Sequence, residues 1–412
     1  MERISVDRLQ PGVFISITQV SWLDHPFLLN RFRLDDEEQI KILRSLGIRE
    51  IDWDPARSSA QPLPEAAAHE DETDFSATAM HAMLDGKRER TQKIRAQRES
   101  LARCERLYEQ EASGLRDILQ QLSSRPAEAY LQARATVGRL LGGLLGTQSV
   151  AIHLVNMKVR DAGAAQHAMN VTVLSLLLGK AAGLDPEQMR QLGLGALFHD
   201  IGKSEVPTRV LRSAQRTPAE TQFYQAHVGY GVKLAAPMNE LTTAARNIIA
   251  CHHEHWDGSG FPNRLAGAKI PRLARLVAIA NHYDNLCNPF DLAQARTPSE
   301  AVAHMFRHEA GRFDPELLQL FIKIVGVYPP GSFVALDDGS IGLVVEVNTV
   351  DLLHPLVILY DPEIPRGEAL LVDLADCGLR IESVLNPGKL PLETVEYLAP
   401  RGRIDYYIEG AS

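Results

Sequence analysis

Between residues 126 and 327 the apolar residues recur at helical spacing, and three of the resulting stripes run into histidines. His167 shares a face with Val171, Leu174 and Leu178, the i, i+4, i+7 spacing of a core-facing side, so its imidazole is expected to point inward. A second stripe, Met189, Leu192 and Ala196, ends at His199 with Asp200 directly after it. A third, Leu241, Ala245 and Ile248, delivers His252, with His253 and Glu254 adjacent. Neighbouring residues on a helix diverge by about 100°, so each pair addresses two points a few ångströms apart. Burying several imidazoles and a carboxylate is costly unless a metal or hydrogen-bond partners satisfy them, and two metal ions are the natural occupants. His25, His153, His282 and His304 lack such neighbours and read as ordinary structural histidines. On its own spacing, His227 in Gln225-Ala226-His227-Val228-Gly229 reads as a helix-start residue.

Around this helical stretch the chain reads as multidomain. Residues 1–54 carry short β-like runs about the turn Gln10-Pro11-Gly12, then a helix capped by Asp35, and form a small N-terminal α+β domain. Residues 55–81 shift to Ala, Pro, Ser and acidic residues and read as a solvated linker. Residues 82–125 form a long polar helix on which Ile94, Leu101, Tyr108 and Leu115 are spaced by seven, a sparse seam that suggests a homodimer. Residues 126–327 form the central all-α domain, without strand alternation. After Tyr328-Pro329-Pro330-Gly331 the period changes to two, and residues 328–412 read as a small C-terminal β-barrel-like module.

Charge narrows the partners. The 43 basic against 52 acidic side chains leave a net charge of −9, which disfavours nucleic acid and anionic membranes. A small anionic substrate stays open, because a bound metal outweighs the mean charge locally. Cys104, Cys251, Cys287 and Cys377 are scattered without a C-x-x-C pair, which suits reduced thiols and no thiolate zinc site. Met1 to Asp7 has no apolar signal core. Leu140 to Val155, the nearest approach to a membrane span, is interrupted by Thr147, Gln148, Ser149 and His153, so a cytoplasmic protein is expected.

The segment His199-Asp200-Ile201-Gly202-Lys203 resembles the signature of HD-type metal phosphohydrolases. His252-His253-Glu254-His255-Trp256-Asp257-Gly258-Ser259-Gly260-Phe261-Pro262 resembles the longer signature of the HD-GYP branch, with Phe261 where tyrosine is usual. The likeness covers about residues 155 to 325. Residues 1–54, with Trp22-Leu23-Asp24-His25-Pro26-Phe27, resemble the small domain often found ahead of it, and the β module resembles extensions of some members. This resemblance implies an all-α HD-type fold and a bacterial signalling phosphodiesterase that hydrolyses cyclic di-GMP to pGpG and onward to GMP. It implies two divalent transition metals, iron or manganese, and signalling partners of the diguanylate-cyclase type.

Carried over by position, the resemblance implies that His167 and His199 bind one metal, that Asp200 bridges both, and that His227, His252 and His253 bind the second. Lys203 would stabilise charge developing on the phosphate. Glu254, Asp257, Gly258, Gly260, Phe261, Pro262 and Arg275 would form a substrate or partner loop. Asn281 stands where members usually supply a last aspartate ligand, Asn288-Pro289-Phe290 replaces an Arg-Pro-Tyr, and Gly163 replaces the glutamate of trinuclear members. Two metals are therefore expected rather than three. The neutral Asn281 also leaves open a weakly active or inactive nucleotide-sensing or protein-interaction module.

Overall fold

The computed structural model describes the whole chain except residues 1, 20–24, 28–29, 65–76, 146–149, 156–162, 214, 349–350, 363, 367–368, 400–403 and 411–412. The chain divides into two compact units. One comprises Met1–Glu99 with Ala335–Ile341 and Asp376–Glu382; the other comprises Ser100–Val334, Gly342–Ala375 and Ser383–Ser412.

In the first unit β1 (Glu2–Ser5), β2 (Phe14–Ser16), β3 (Arg31–Arg33) and β4 (Glu50–Trp53) form an antiparallel sheet in the order β1-β4-β2-β3. Helix α1 (Glu37–Ser45) buries Ile40 and Leu43 in one core with Ile15 and Ile51 of the sheet and with Val13 just ahead of β2. Its cap is Asp36, whose carboxylate accepts from Gln39 N–H at 2.8 Å, while Asp35 donates its own N–H to the Gln39 side chain. The cap expected at Asp35 is thus displaced by one residue. The linker expected from residue 55 starts later as well: Ser58 Oγ accepts from the N–H groups of Phe14 and the Trp53 indole, and Leu63 N–H donates to Arg8 O. Of the motif around Trp22, residues Trp22, Leu23 and Asp24 lie outside the described residues.

The long helix α2 (Ala77–Gln121) enters the second unit at Ser100. Tyr108 and Leu115, expected to face another copy, are fully buried in the core of that unit together with Cys104, Ala112, Ile118 and Leu122. Their spacing is therefore used within the chain; the Ile94 side chain lies outside the described residues, and Leu101 is half-buried. Helix α3 (Pro126–Leu145) precedes β5 (Val150–Val155), a strand inside the stretch expected to be wholly helical. Helices α4 (Gly163–Ala181), α5 (Pro186–Phe198), α6 (Thr208–Arg212), α7 (Pro218–Gln225), α8 (His227–Ala235) and α9 (Thr243–Cys251) follow. The series ends with α10 (Arg272–Cys287), α11 (Pro298–His308) and α12 (Pro315–Val325).

The helix starts are written locally. Asp185 with Gln188, Thr217 with Glu220, and Thr297 with Glu300 form reciprocal capping boxes, each with proline directly after the cap. Helix α4 is buried on nearly every side from Ala165 to Gly179, which makes it the axis of the bundle, packed by α5, α10 and α12.

Strands β6 (Phe333–Leu336), β7 (Ile341–Asn348), β8 (Leu356–Leu359) and β9 (Leu371–Asp373) follow the bundle. The short α13 (Leu374–Cys377), β10 (Ile381–Leu385), α14 (Leu392–Leu398) and β11 (Asp405–Gly410) complete the chain. The strands join β5 in one sheet of order β10-β6-β7-β5-β11, with β8 on β7 and β9 on β8. Among the described residues the sheet does not close, so the barrel expected for residues 328–412 is not seen there. Nor is the module separate: β11 pairs with β5 from Asp405↔Val155 to Gly410↔Val150, and Tyr406 and Tyr407 enter the core of the helices.

Candidate metal centre

The titratable side chains of the site come from at or near helix ends. His167 opens the second turn of α4, His199 caps the C-terminus of α5, and Asp200 opens the 3-10 turn Ile201–Glu205. His227 is the first residue of α8, and His252 caps α9 with His253 beyond it. The turn after Asp200 touches α8 backbone to backbone. A Cβ at Gly202 would stand 1.9 Å from the carbonyl oxygen of His227 and 2.4 Å from the amide of Gly231, so only glycine allows the approach that brings Asp200 to His227.

Four imidazoles are fixed from behind. Nδ1–H of His199 donates to Ala196 O at 2.6 Å, that of His227 to Tyr224 O at 2.5 Å, and that of His252 to Ile249 O at 3.0 Å. His167 donates from Nδ1 to a carboxylate, Asp284 Oδ2, at 2.6 Å. An acceptor behind Nδ1 leaves Nε2 as the nitrogen that faces the site. All four Nε2 atoms converge on Asp200, and they sort by oxygen. His167 and His199 lie 3.3 Å from Oδ2, whereas His227 and His252 lie 3.4 and 3.5 Å from Oδ1. The ligand atoms of His167, His199 and Asp200 form one cluster, and those of Asp200, His227, His252 and His253 form a second that shares the aspartate.

Buried polar atoms normally have partners. Here Nε2 of His227, His252 and His253 has none, which is the mark of a donor set shaped for a cation. The nitrogen and carboxylate donors, without thiolate, fit a divalent metal. Burial holds His199, His252 and His253 below the usual histidine range, His252 at about 4, so these imidazoles are neutral at pH 7. Burial acts the same way on His167, but the hydrogen bonds to Asp200 and Asp284 outweigh it and push this residue up to about 9. Burial also opposes the charge on Asp200, yet Lys203 and His199 hold its carboxyl well below the ordinary range. Lys203 makes an ion pair with Asp200 Oδ2, and this contact overcomes burial and raises its ammonium above the usual value.

The loop after His253 divides into residues that face outward and residues that brace it. Phe261 stacks on His253, ring centroids 4.5 Å apart, and approaches His227 edge-on at 6.2 Å. Asp257 and Pro262 are exposed, Gly258 takes a left-handed backbone at φ 79°, and a Cβ at Gly260 would collide with the main chain of His253 and His255. Glu254 and Arg275, expected in a substrate or partner loop, are turned to other work. Glu254 is buried and accepts from the N–H groups of Asn263 and Leu265 at 2.7 and 2.8 Å. Arg275 donates to Ile270 O and Asp314 Oδ2, at 2.9 and 2.7 Å, and lies over the Trp256 ring. Glu254 thus closes the loop on itself, and Arg275 ties the end of the loop at Ile270 to Asp314 at the start of α12. Asn281 is buried and its Oδ1 accepts from Asn285 Nδ2 at 2.7 Å. Asp284, one turn on, has no role in the sequence reading; it is the carboxylate that orients His167. His282 donates to Glu309 at 2.6 Å, and His25 pairs with Asn30 at 3.0 Å, both outside the cluster.

Residues 149–317 match the HD domain family, and residues 1–133 match a domain of unknown function, DUF3391. The chain is similar to a cyclic di-GMP phosphodiesterase of Pseudomonas aeruginosa, 29% identical over 87% of this chain and 85% of that protein. It is also similar to a 3'3'-cGAMP-specific phosphodiesterase of Vibrio cholerae, 32% identical over 41% of this chain and 32% of that one. A cyclic di-GMP phosphodiesterase response regulator of Xanthomonas campestris is 27% identical over 55% of this chain and 58% of its own length. The solved structure of an HDG"Y"P protein from Bdellovibrio bacteriovorus aligns at 18% identity with a TM-score of 0.43, over 78% of this chain and 97% of that one.

Proposed function

We propose that this chain, an HD-domain protein bearing the signatures of the HD-GYP family, is a metal-dependent phosphodiesterase that hydrolyses cyclic di-GMP. The observation that carries the reading is the sorting of four Nε2 atoms onto the two oxygens of one buried aspartate. His167, His199 and Asp200 would hold one divalent metal, and Asp200, His227, His252 and His253 a second, with iron or manganese suited to this donor set. The metals would supply Lewis-acid neutralisation of the phosphodiester oxygens and activation of water. The chain's own residues do the rest. Carbonyls behind His199, His227 and His252, and Asp284 behind His167, lock each ring so that no reorientation is needed when metal enters. Lys203 keeps its proton through the neutral range and places a fixed cation beside Asp200, where the substrate phosphate gains negative charge. Phe261 covers one face of His253 and keeps water from that side. Linear pGpG is the first product, with GMP following if the same centre accepts it.

A cytoplasmic site of action is part of the proposal; among the described residues no helix is long and apolar enough to cross a membrane. The neutral Asn281 favours a second reading, a sensing module with little turnover. The two are separated by incubating manganese- or iron-loaded full-length protein with cyclic di-GMP and following pGpG and GMP by chromatography. The enzyme reading expects pGpG to accumulate, abolished in Asp200→Ala. Binding of the dinucleotide without product by a fully metal-loaded chain would favour the sensor.

A further inference from the structure

The support behind His167 does not stop at Asp284. Asp284 Oδ1 accepts from Asn170 Nδ2 and Asn288 Nδ2, each at 2.9 Å. Asn170 lies one turn after His167 on α4 and is 1% exposed; its Nδ2 also reaches Ile404 O at 3.0 Å and Asp405 Oδ1 at 3.3 Å, while its Oδ1 accepts from Tyr406 N–H at 3.1 Å and the Tyr108 hydroxyl at 3.3 Å. Asp405 is itself buried at 2% exposure and accepts from the Tyr108 hydroxyl at 3.1 Å and from Gln166 Nε2 at 3.2 Å. Asn288 closes the loop, donating to Ile404 O at 2.7 Å and accepting from Ile404 N–H at 2.8 Å. The result is a largely buried polar network joining the long helix α2, the axial helix α4, the end of α10 and the last strand β11, and terminating on the imidazole of His167.

We infer that Asn170 and Asp405 are positioning residues for the half of the metal centre that contains His167, so that the C-terminal strand is a working part of that half. A buried carboxylate and amide are costly to keep unless every group is satisfied, and when satisfied they hold one arrangement. Here the arrangement held is the direction of Asp284 Oδ2, which keeps Nδ1 of His167 as the donor and Nε2 free for metal. In the other cluster His227 and His252 are backed by the main-chain carbonyls of Tyr224 and Ile249 instead, and this cluster adjoins the His167 half at the shared Asp200. Loss of the network should therefore act on one metal and spare the other.

The inference rests on the metal reading, and manganese binding by the wild-type full chain tests that first: a chain that binds no metal refutes the reading itself. In a wild-type chain that binds two equivalents, Asn170→Ala and Asp405→Ala are expected to weaken one equivalent by about 10–100-fold and leave the other unchanged. Asp405→Asn, which keeps an acceptor for Tyr108, should recover most of the loss. If either alanine variant does not fold, as judged by circular dichroism without metal, Tyr108→Phe removes a single hydroxyl and should still weaken one equivalent several-fold. Variants that fold and bind both equivalents with wild-type affinity, or lose both equally, would overturn the inference.

Discussion

Asp200 and Asn281 mark the two extremes of what single residues do here. Asp200 serves two clusters and gains from every ion it meets; Asn281 is buried, hydrogen-bonded to Asn285 and neutral. Asn281→Asp keeps the acceptor for Asn285 and adds a charge in a partly desolvated site, where attraction to a dication is far stronger than in water. Metal retention after dialysis against a chelator should rise in Asn281→Asp, and the metal-free protein should denature more easily; lower retention would show that Asn281 is remote from the ions. The histidines also set a pH signature on the metal-free protein. His167 is raised from 6.5 to about 9, so its contribution to stability is full below 6.5 and lost as pH climbs through 9. His252 is lowered to about 4, so its contribution is full above 6.5 and lost as pH falls toward 4. Urea midpoints of metal-free protein should therefore fall from pH 6.5 to pH 9.5, and His167→Gln should flatten that limb; a steeper alkaline loss in the variant would contradict the assignment. The paired histidines were legible in sequence because adjacent imidazoles on an apolar stripe have few other uses. Asp284 was not, because its partner His167 lies 117 residues away and nothing local marks a buried helical aspartate as an orienting group.

Elements carry the site by where they end. The turn Ile201–Glu205 and α8 meet at Gly202, and a methyl group there has nowhere to go, since it faces main chain rather than a flexible side chain. Gly202→Ala should cost about 3 kcal/mol or more and lower metal content, because separating the turn from α8 moves Asp200 off His227. Thermal melting and metal analysis of the variant check this, and wild-type values in both would show that the contact is not needed. The helical character of residues 126–327 was readable because apolar stripes are local; the caps Asp185, Thr217 and Thr297 that start α5, α7 and α11 are equally local but were not part of the sequence reading. Strand β5 was not readable. Its six residues sit between helices, and the strands that give them a sheet, β7 and β11, arrive about 200 and 250 residues later. The seven-residue spacing on α2 was real, but spacing alone does not say whether the covering surface belongs to another copy or, as with Tyr108 and Leu115, to the same chain.

At the scale of the whole molecule, the bundle brings the clustered imidazoles and Asp200 together from at or near the ends of four helices, and the last strand returns to the second turn of α4, which bears His167. The pairing of β11 with β5, the burial of Tyr406 and Tyr407 among the helices and the grouping of Ala335–Ile341 and Asp376–Glu382 with the N-terminal unit all depend on long-range contacts that no local pattern encodes. The account turns on one aspartate shared by two metal compartments, and metal content per chain tests it most directly. After anaerobic loading of the full-length protein with manganese and removal of free metal, elemental analysis should find about two ions per wild-type chain. Asp200→Ala should lose more than any single histidine-to-alanine variant, because each histidine serves one compartment and Asp200 serves both. Less than about half an ion in the wild-type chain, or an Asp200→Ala chain that retains as much metal as His199→Ala, would contradict it.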